Sequence, residues 1–347
     1  MYGPSQRRPQ KRWVLSRDGM IPKERDLMND VVLTGDRPTG PLHLGHYFGS
    51  LANRVRLQDL HPMYVLIADY QVITDRDLPG EIRRHTMELL LDYLAIGIDP
   101  AKVTIFQHSA IPELNQLLLP FLSLVSVAEL GRNPTVKDEI AHSSQAAVSG
   151  LMFTYPVHQA ADILFCKGTL VPVGKDQLPH LEVARLVARR FNDRYGEVFP
   201  LPKAMMGAQP MLKGLDGGKM SKSRGNAIAL SATEDKTALL IRKARTDAER
   251  LITFEEERRP EVANLLTLAG LCLGRPPAEL AEEIGDGGAA TLKRVATEAV
   301  NEFLRPIRRR RAELTEGDAR RILAEGNERA RERAVRTLEE VRAAMGF

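Results

Sequence analysis

The sequence predicts an α/β fold, a parallel β-sheet wrapped by helices, followed by an all-helical C-terminal region. Three observations predict it. Short apolar runs alternate with helical patterns between residue 29 and about residue 191, residues 200–226 are rich in Pro, Gly, Met and Lys, and no strand-like run follows Ile228. Strands alternating with helices imply βαβ units and a parallel sheet. The 347 residues suffice for one large domain or two medium ones. The composition shifts set the expected boundaries: a basic leader over 1–28, an α/β unit over 29–225 and a helical unit over 226–347.

The elements follow in order. Val31-Val32-Leu33 is a buried-strand run, and a helix-like segment covers His43 to Gln58. Tyr64–Ala68 is a second strand, with a helix over Glu81–Ile96. Val103–Phe106 is a third, with apolar helical text over Glu113–Leu130. Leu170–Val173 is a fourth and leads into a helix over Asp176–Phe191. The last helix is expected over Glu316–Met345, with Ile322, Leu323, Val335, Leu338 and Val341 as its apolar stripe.

Apolar content of 43% and charged content of 27% describe a soluble globular chain. No stretch approaches 18 apolar residues, so no membrane span is expected. The leader carries Arg7, Arg8, Lys11, Arg12 and Arg17 without an apolar core after them. It reads as a disordered tail or a docking arm, not a secretory signal. Cys166 and Cys272 have no metal-ligand spacing, so neither structural zinc nor a disulfide framework is expected, and the reducing cytoplasm is the expected setting. A net charge of +4 is compatible with a polyanionic partner without requiring one.

Two short segments carry the chemistry. One is Gly40-Pro41-Leu42-His43-Leu44-Gly45-His46 and the other Gly217-Gly218-Lys219-Met220-Ser221-Lys222-Ser223. His43 and His46 project from one face of a helix start. Gly45 between them allows close approach of a ligand to the backbone, and a helix N-terminus favours phosphate oxygens. Zinc is a weaker reading, because the histidine pair lacks the glutamate of a metalloprotease helix. In the second segment Lys219 and Lys222 can close on phosphates while Ser221 donates a hydrogen bond. Neither a Walker A pattern nor GxGxxG is present. The pair can hold the triphosphate of ATP from two sides, by positioning and electrostatics.

In this order, the two segments resemble the signatures of class I aminoacyl-tRNA synthetases, whose catalytic domain is Rossmann-like. Tyr155–Leu164, Val171–Arg185 and Arg190-Phe191-Asn192 are similar to the tryptophanyl-tRNA synthetase family in particular. The resemblance implies L-tryptophan, ATP with Mg²⁺, and tryptophan tRNA as substrates. It also implies a homodimer bridged by the tRNA, with the apolar helix Glu113–Leu130 as a candidate interface. It further implies site residues. Gly35, Arg37, Pro38, Thr39, Gly45 and His46 would form the nucleotide entrance. Gly174 and Asp176 would meet the ribose, and the Met211 backbone the adenine. His43, His46, Lys137, Lys219, Met220, Ser221, Lys222 and Ser223 would surround the phosphates. Asp162 would accept the indole N–H, with Gln177, Tyr155, Val171, Val173, Gln71 and Gln159 around it.

Four positions depart from the family pattern. Gln71 stands where many bacterial members have histidine, Gln159 where many have methionine, and Asp36-Arg37 replaces a more neutral pair. The pocket is therefore expected to be more polar than usual, open to a substituted indole, as in a divergent or second copy. Three other readings stay open from sequence: a tyrosyl-tRNA synthetase, a paralogue with a regulatory role, and a small-molecule nucleotidyltransferase. The basic run Arg305, Arg308, Arg309, Arg310 and Arg311, followed by Arg320, Arg321, Arg329, Arg331 and Arg333, is expected to meet RNA phosphates.

Overall fold

A computed structural model describes residues 30–74, 80–142, 148–174, 177–206, 212–218, 220–221 and 224–347. Five parallel strands form one sheet in the order β3-β2-β1-β4-β5. The strands are β1 (Val32–Asp36), β2 (Met63–Ile67), β3 (Val103–Gln107), β4 (Leu170–Val173) and β5 (Lys203–Met206). Val32 pairs with Met63 and Asp36 with Ile67, and Met63 in turn pairs with Val103. On the other side Val32 pairs with Leu170 and Leu170 with Lys203. The central strands are the apolar runs, as a sheet covered on both faces requires. The fifth strand falls inside the stretch expected to be loop. Lys203 and Met206 are exposed there, because an edge strand needs no continuous apolar run.

The first helical stretch (α1) begins at Leu44 and runs in three pieces, Leu44–His46, a π-helical Tyr47–Leu51 and Ala52–Leu57. Next come α2 (Glu81–Ile96), α3 (Pro112–Leu122), α4 (Val127–Leu130), α5 (Pro134–His142), α6 (Gly150–Leu164) and α7 (Leu178–Tyr195). The single helix expected over Glu113–Leu130 is thus two. Ser126 starts the second: its hydroxyl accepts the Glu129 N–H at 3.2 Å, and the Glu129 carboxylate accepts the Ser126 N–H at 2.8 Å. This reciprocal cap restarts the helix despite the unbroken apolar text.

After residue 226 the described chain is helical, with α8 (Glu234–Arg242), α9 (Pro260–Leu273), α10 (Pro277–Ile284), α11 (Gly288–Glu313) and α12 (Glu316–Met345). These helices share their core with the sheet. Leu292, Val300 and Leu304 of α11 pack in one cluster with Leu42, Val65 and Leu89. Ala330, Ala334, Leu338 and Val341 of α12 pack in a second cluster with Leu33, Phe106 and Phe165. The buried stripe of α12 differs from the expected one: Val335 is 36% exposed, whereas Ala319, Gly326, Ala330 and Ala334 are buried. Small residues let α12 lie directly on β3; a Cβ on Gly326 would stand 1.8 Å from the Ile105 carbonyl oxygen.

The basic run also differs from expectation. Arg308 donates to the Ala232 carbonyl at 2.7 Å, and Arg310 to the Ala95 carbonyl at 2.6 Å. Arg311 pairs with Glu88 and with Asp92. Arg329 donates to the Pro100 carbonyl, and Arg331 pairs with Glu113. The forked donors of Arg308 and Arg311 are largely covered, whereas Arg310, Arg329 and Arg331 make their bonds from exposed positions. Arg305 and Arg309 stay on the surface beside Glu302 and Glu313.

Candidate active site

Gly35, Arg37, Pro38, Thr39 and Gly174 lie at the C-terminal ends of the strands, where parallel sheets bind ligands. β1 ends at Gly35 and Asp36 and continues into the Arg37–Thr39 turn; β2 is followed by Asp69, β3 by His108 and β4 by Gly174. Arg54 locks the β1 turn: it bonds Asp36 through both terminal nitrogens and donates to the Gly35 carbonyl at 3.1 Å. Tyr93 adds its hydroxyl to Asp36 at 2.6 Å. Burial alone would raise the Asp36 carboxyl, but the Arg54 charge and hydrogen bonds, with Tyr93, carry it below the ordinary range. Asp36, the first member of the pair that departs from the family pattern, is therefore held in an ion pair with the buried Arg54.

His43 stands at the N-cap of α1 in extended conformation, and its N–H donates to His46 Nδ1 at 3.1 Å. The rings of His43 and His46 lie 3.7 Å apart. With Nδ1 accepting, a neutral His46 carries its proton on Nε2, a donor suited to a phosphate oxygen. The segment is zipped to the chain that follows the second signature. Leu44 N–H donates to the Ile228 carbonyl at 3.0 Å, and Leu230 N–H to the Leu42 carbonyl at 2.9 Å. A Cβ on Gly45 would stand 2.9 Å from Met220 Sδ. The structure thus brings Gly45, between His43 and His46 in sequence, against Met220.

The second signature hangs from a compact turn. Asp216 accepts from Gly218 N–H at 3.0 Å and from Asn226 Nδ2 at 2.7 Å, and Ser221 N–H donates to Asn226 Oδ1 at 2.8 Å. Gly217 at φ +83° takes a left-handed conformation that favours glycine. Asn264 of α9 accepts from Lys213 N–H at 3.2 Å, fixing the turn to the helical region. Lys219, Lys222, Ser223, Asp176 and Met211 lie outside the described residues.

The expected amino-acid pocket is built on α6. Asp162 is 1% exposed, and His108 Nε2 lies 2.7 Å from its Oδ1. Asp162 Oδ2 and His158 Nε2 are buried without a hydrogen-bond partner among the described residues. Burial holds His158 below the usual imidazole range, so it is neutral near pH 7. The rings of His108 and His158 stand 4.7 Å apart, with Tyr70 stacked on His108. His108, His158 and Asp162 offer donor atoms within 4.8 Å of one another, a set chemically able to ligate a cation. The 2.7 Å hydrogen bond already joining two of them describes a carboxylate held by its own donor instead.

Gln71 and Gln159 are half-buried, Val171 is buried and Val173 partly so. Gln177 caps the start of α7, its N–H donating to the Gly174 carbonyl at 3.1 Å. Tyr155 lies two turns before Asp162 on α6, with its hydroxyl 2.9 Å from His180 Nε2. Lys137 is exposed on α5, and among the described residues no bond joins it to either signature. Sequence reasoning missed His108, Asp69, Asp92 and the Asp216–Asn226 pair. Two signals were available: His108 directly follows an apolar strand, and His158 precedes Asp162 by one helical turn.

The sequence matches the model of the family described as tRNA synthetases class I (W and Y) over residues 28–305. A tryptophan--tRNA ligase of Clostridium longisporum is 43% identical over 92% of this chain and 98% of its own, and one of Treponema pallidum 42% identical over 91% and 96%. The crystal structure of tryptophanyl-tRNA synthetase from Campylobacter jejuni complexed with ADP and tryptophan superposes with a TM-score of 0.82 at 31% identity, covering 91% of this chain and all of that one. The chain belongs to the class I tRNA synthetases for tryptophan and tyrosine and, within them, to the tryptophan--tRNA ligases.

Proposed function

We propose that this enzyme makes tryptophanyl-adenylate from L-tryptophan and ATP at the C-terminal edge of its sheet and then acylates tryptophan tRNA. The supporting observation is the backbone zip between Leu42–Leu44 and Ile228–Leu230, which seats Gly45 against Met220. Two segments far apart in sequence meet at the end of β1, where a triphosphate can be held from both sides. A tryptophan carboxylate oxygen attacks the α-phosphorus in line and pyrophosphate leaves. His43, His46, Lys219, Ser221, Lys222 and Lys137 are assigned to the phosphates, with Mg²⁺ arriving on ATP and keeping its waters. Gly174 and Asp176 are assigned to the ribose and Met211 to the adenine. No residue is needed as a covalent nucleophile.

Asp162 is assigned to the indole. Its Oδ1 is taken by His108, while its buried Oδ2 suits a donor-only N–H. Residues 29–225 carry this chemistry and residues 226–347 the RNA surface. The homodimer reading is supported by Leu119 and Val127, 74% and 76% exposed on the candidate interface segment.

The test is ATP–pyrophosphate exchange driven in turn by each proteinogenic amino acid. Tryptophan alone should support it. Asp162→Leu should lower kcat/KM for tryptophan by about 10²–10³ and leave the KM for ATP unchanged. Exchange with tyrosine, or an Asp162→Leu variant as active as wild type, refutes the pocket.

A further inference from the structure

Helix α11 holds the first signature from two sides. Asp92, on α2, is fully buried, and its Oδ2 accepts the Leu42 N–H at 3.0 Å. Leu42 immediately precedes His43, so this bond fixes the backbone entering the histidine segment. The other Asp92 oxygen is 3.1 Å from Arg311 of α11, which also pairs with Glu88. On the opposite side the Leu42 carbonyl accepts Leu230 N–H at 2.9 Å. Two residues on, the Ala232 carbonyl accepts from Arg308, one turn before Arg311 on the same helix. Arg308 also donates to Thr237 at 2.9 Å. The helix thus grips the histidine segment through Asp92 and its zipped partner strand through Ala232.

We infer that Arg311, through Asp92, and Arg308, through Ala232, are positioning residues for adenylate formation. They set the backbone from which His43 and His46 act. A buried carboxylate beside an unpaired N–H is a poor anchor unless its charge is neutralised, and Arg311 supplies that charge from the helical region. The inference rests on the reading of His43 and His46 as phosphate ligands.

The test measures ATP–pyrophosphate exchange and thermal unfolding in Arg311→Gln, Arg308→Gln and the double variant Asp92→Leu/Arg311→Met, with His46→Asn as the control. Misplacing a reacting group by about 1 Å from a distance costs about 10²-fold. Arg311→Gln should therefore lower the exchange kcat by that order, with the KM for tryptophan unchanged, and Arg308→Gln should act in the same direction. The double variant leaves no unpaired buried charge, so its unfolding temperature should rise above that of Arg311→Gln while its kcat stays low, because Leu42 N–H has then lost its acceptor. Variants that lose unfolding temperature with kcat intact, or a double variant that recovers both, overturn the inference. A His46→Asn enzyme with full exchange activity overturns the phosphate reading, and the inference with it.

Discussion

A carboxylate as buried as Asp162 is costly unless hydrogen-bonded. His108 satisfies one oxygen, and the other is left for a bound donor, which on the proposed reading is the indole N–H. His158 is the second histidine of this cluster, and its neutrality has a measurable consequence. Its pKa is held below the unfolded value of 6.5 by burial, opposed by the charge of Asp162. Below 6.5 the unfolded chain therefore binds more protons than the folded one, so stability is full above that pH and falls as the medium is acidified through it. Wild type should lose unfolding temperature between about pH 7 and 5, and His158→Leu should flatten that slope. A parallel slope in the variant would assign the acid sensitivity to other groups. The roles at this scale were only partly legible in sequence. Asp162 came from a motif, whereas His108 reaches it across 54 positions of chain. A bond between strand end and helix leaves no local pattern.

Elements were more legible, and the failures are informative. The helix over Glu81–Ile96 and the long last helix over Glu316–Met345 have the expected bounds, because each has a cap or glycine stop that periodicity runs into. The extra strand Lys203–Met206 was hidden by its position at the sheet edge, and the break at Ser126 by the apolar text on both sides. The stripe on α12 was misjudged because the sequence was searched for large apolar residues. The helix instead meets β3 through small ones, with Gly326 against the Ile105 carbonyl and Asn327 accepting the Gln107 N–H at 3.0 Å. A side chain at Gly326 must push helix and strand apart. Gly326→Ala should destabilise the protein by about 1–3 kcal/mol, the cost of overpacking. This exceeds the gain in helix propensity of about 1 kcal/mol. Denaturant unfolding of the variant checks it; a stabilised variant would mean that α12 does not sit on the strand this closely.

For the molecule as a whole, composition places a boundary near residue 226, and the hydrophobic clusters run across it. Each of the two hydrophobic clusters draws residues from both sides of that line: Leu44, Leu89 and Tyr93 with Leu266, Leu292 and Leu304, and Phe106, Phe165 and Phe191 with Ala330 and Leu338. Hydrogen bonds follow the same route, with Thr337 making a buried bond to the Phe165 carbonyl at 2.6 Å and Arg310 donating to the Ala95 carbonyl at 2.6 Å. Arg308 and Arg311, counted with the basic run, belong to this seam, whereas Arg305, Arg309, Arg320 and Arg321 stay on the surface; a guanidinium that caps a carbonyl and one that binds a phosphate look alike in sequence. A fragment ending at residue 225 would present the uncovered faces of α2 and β3 to water. Each large apolar side chain so exposed forfeits about 1.5–3 kcal/mol, against a total stability of about 5–15 kcal/mol for a typical protein. The fragment 29–225 should therefore fail to fold, giving aggregated or molten material by gel filtration and near-ultraviolet circular dichroism. A monomeric fragment with native near-ultraviolet signal and residual exchange activity would instead restore the boundary that composition suggested. In that case the helical region would be a separable RNA-binding unit, and the grip of α11 on the first signature would be dispensable to the fold.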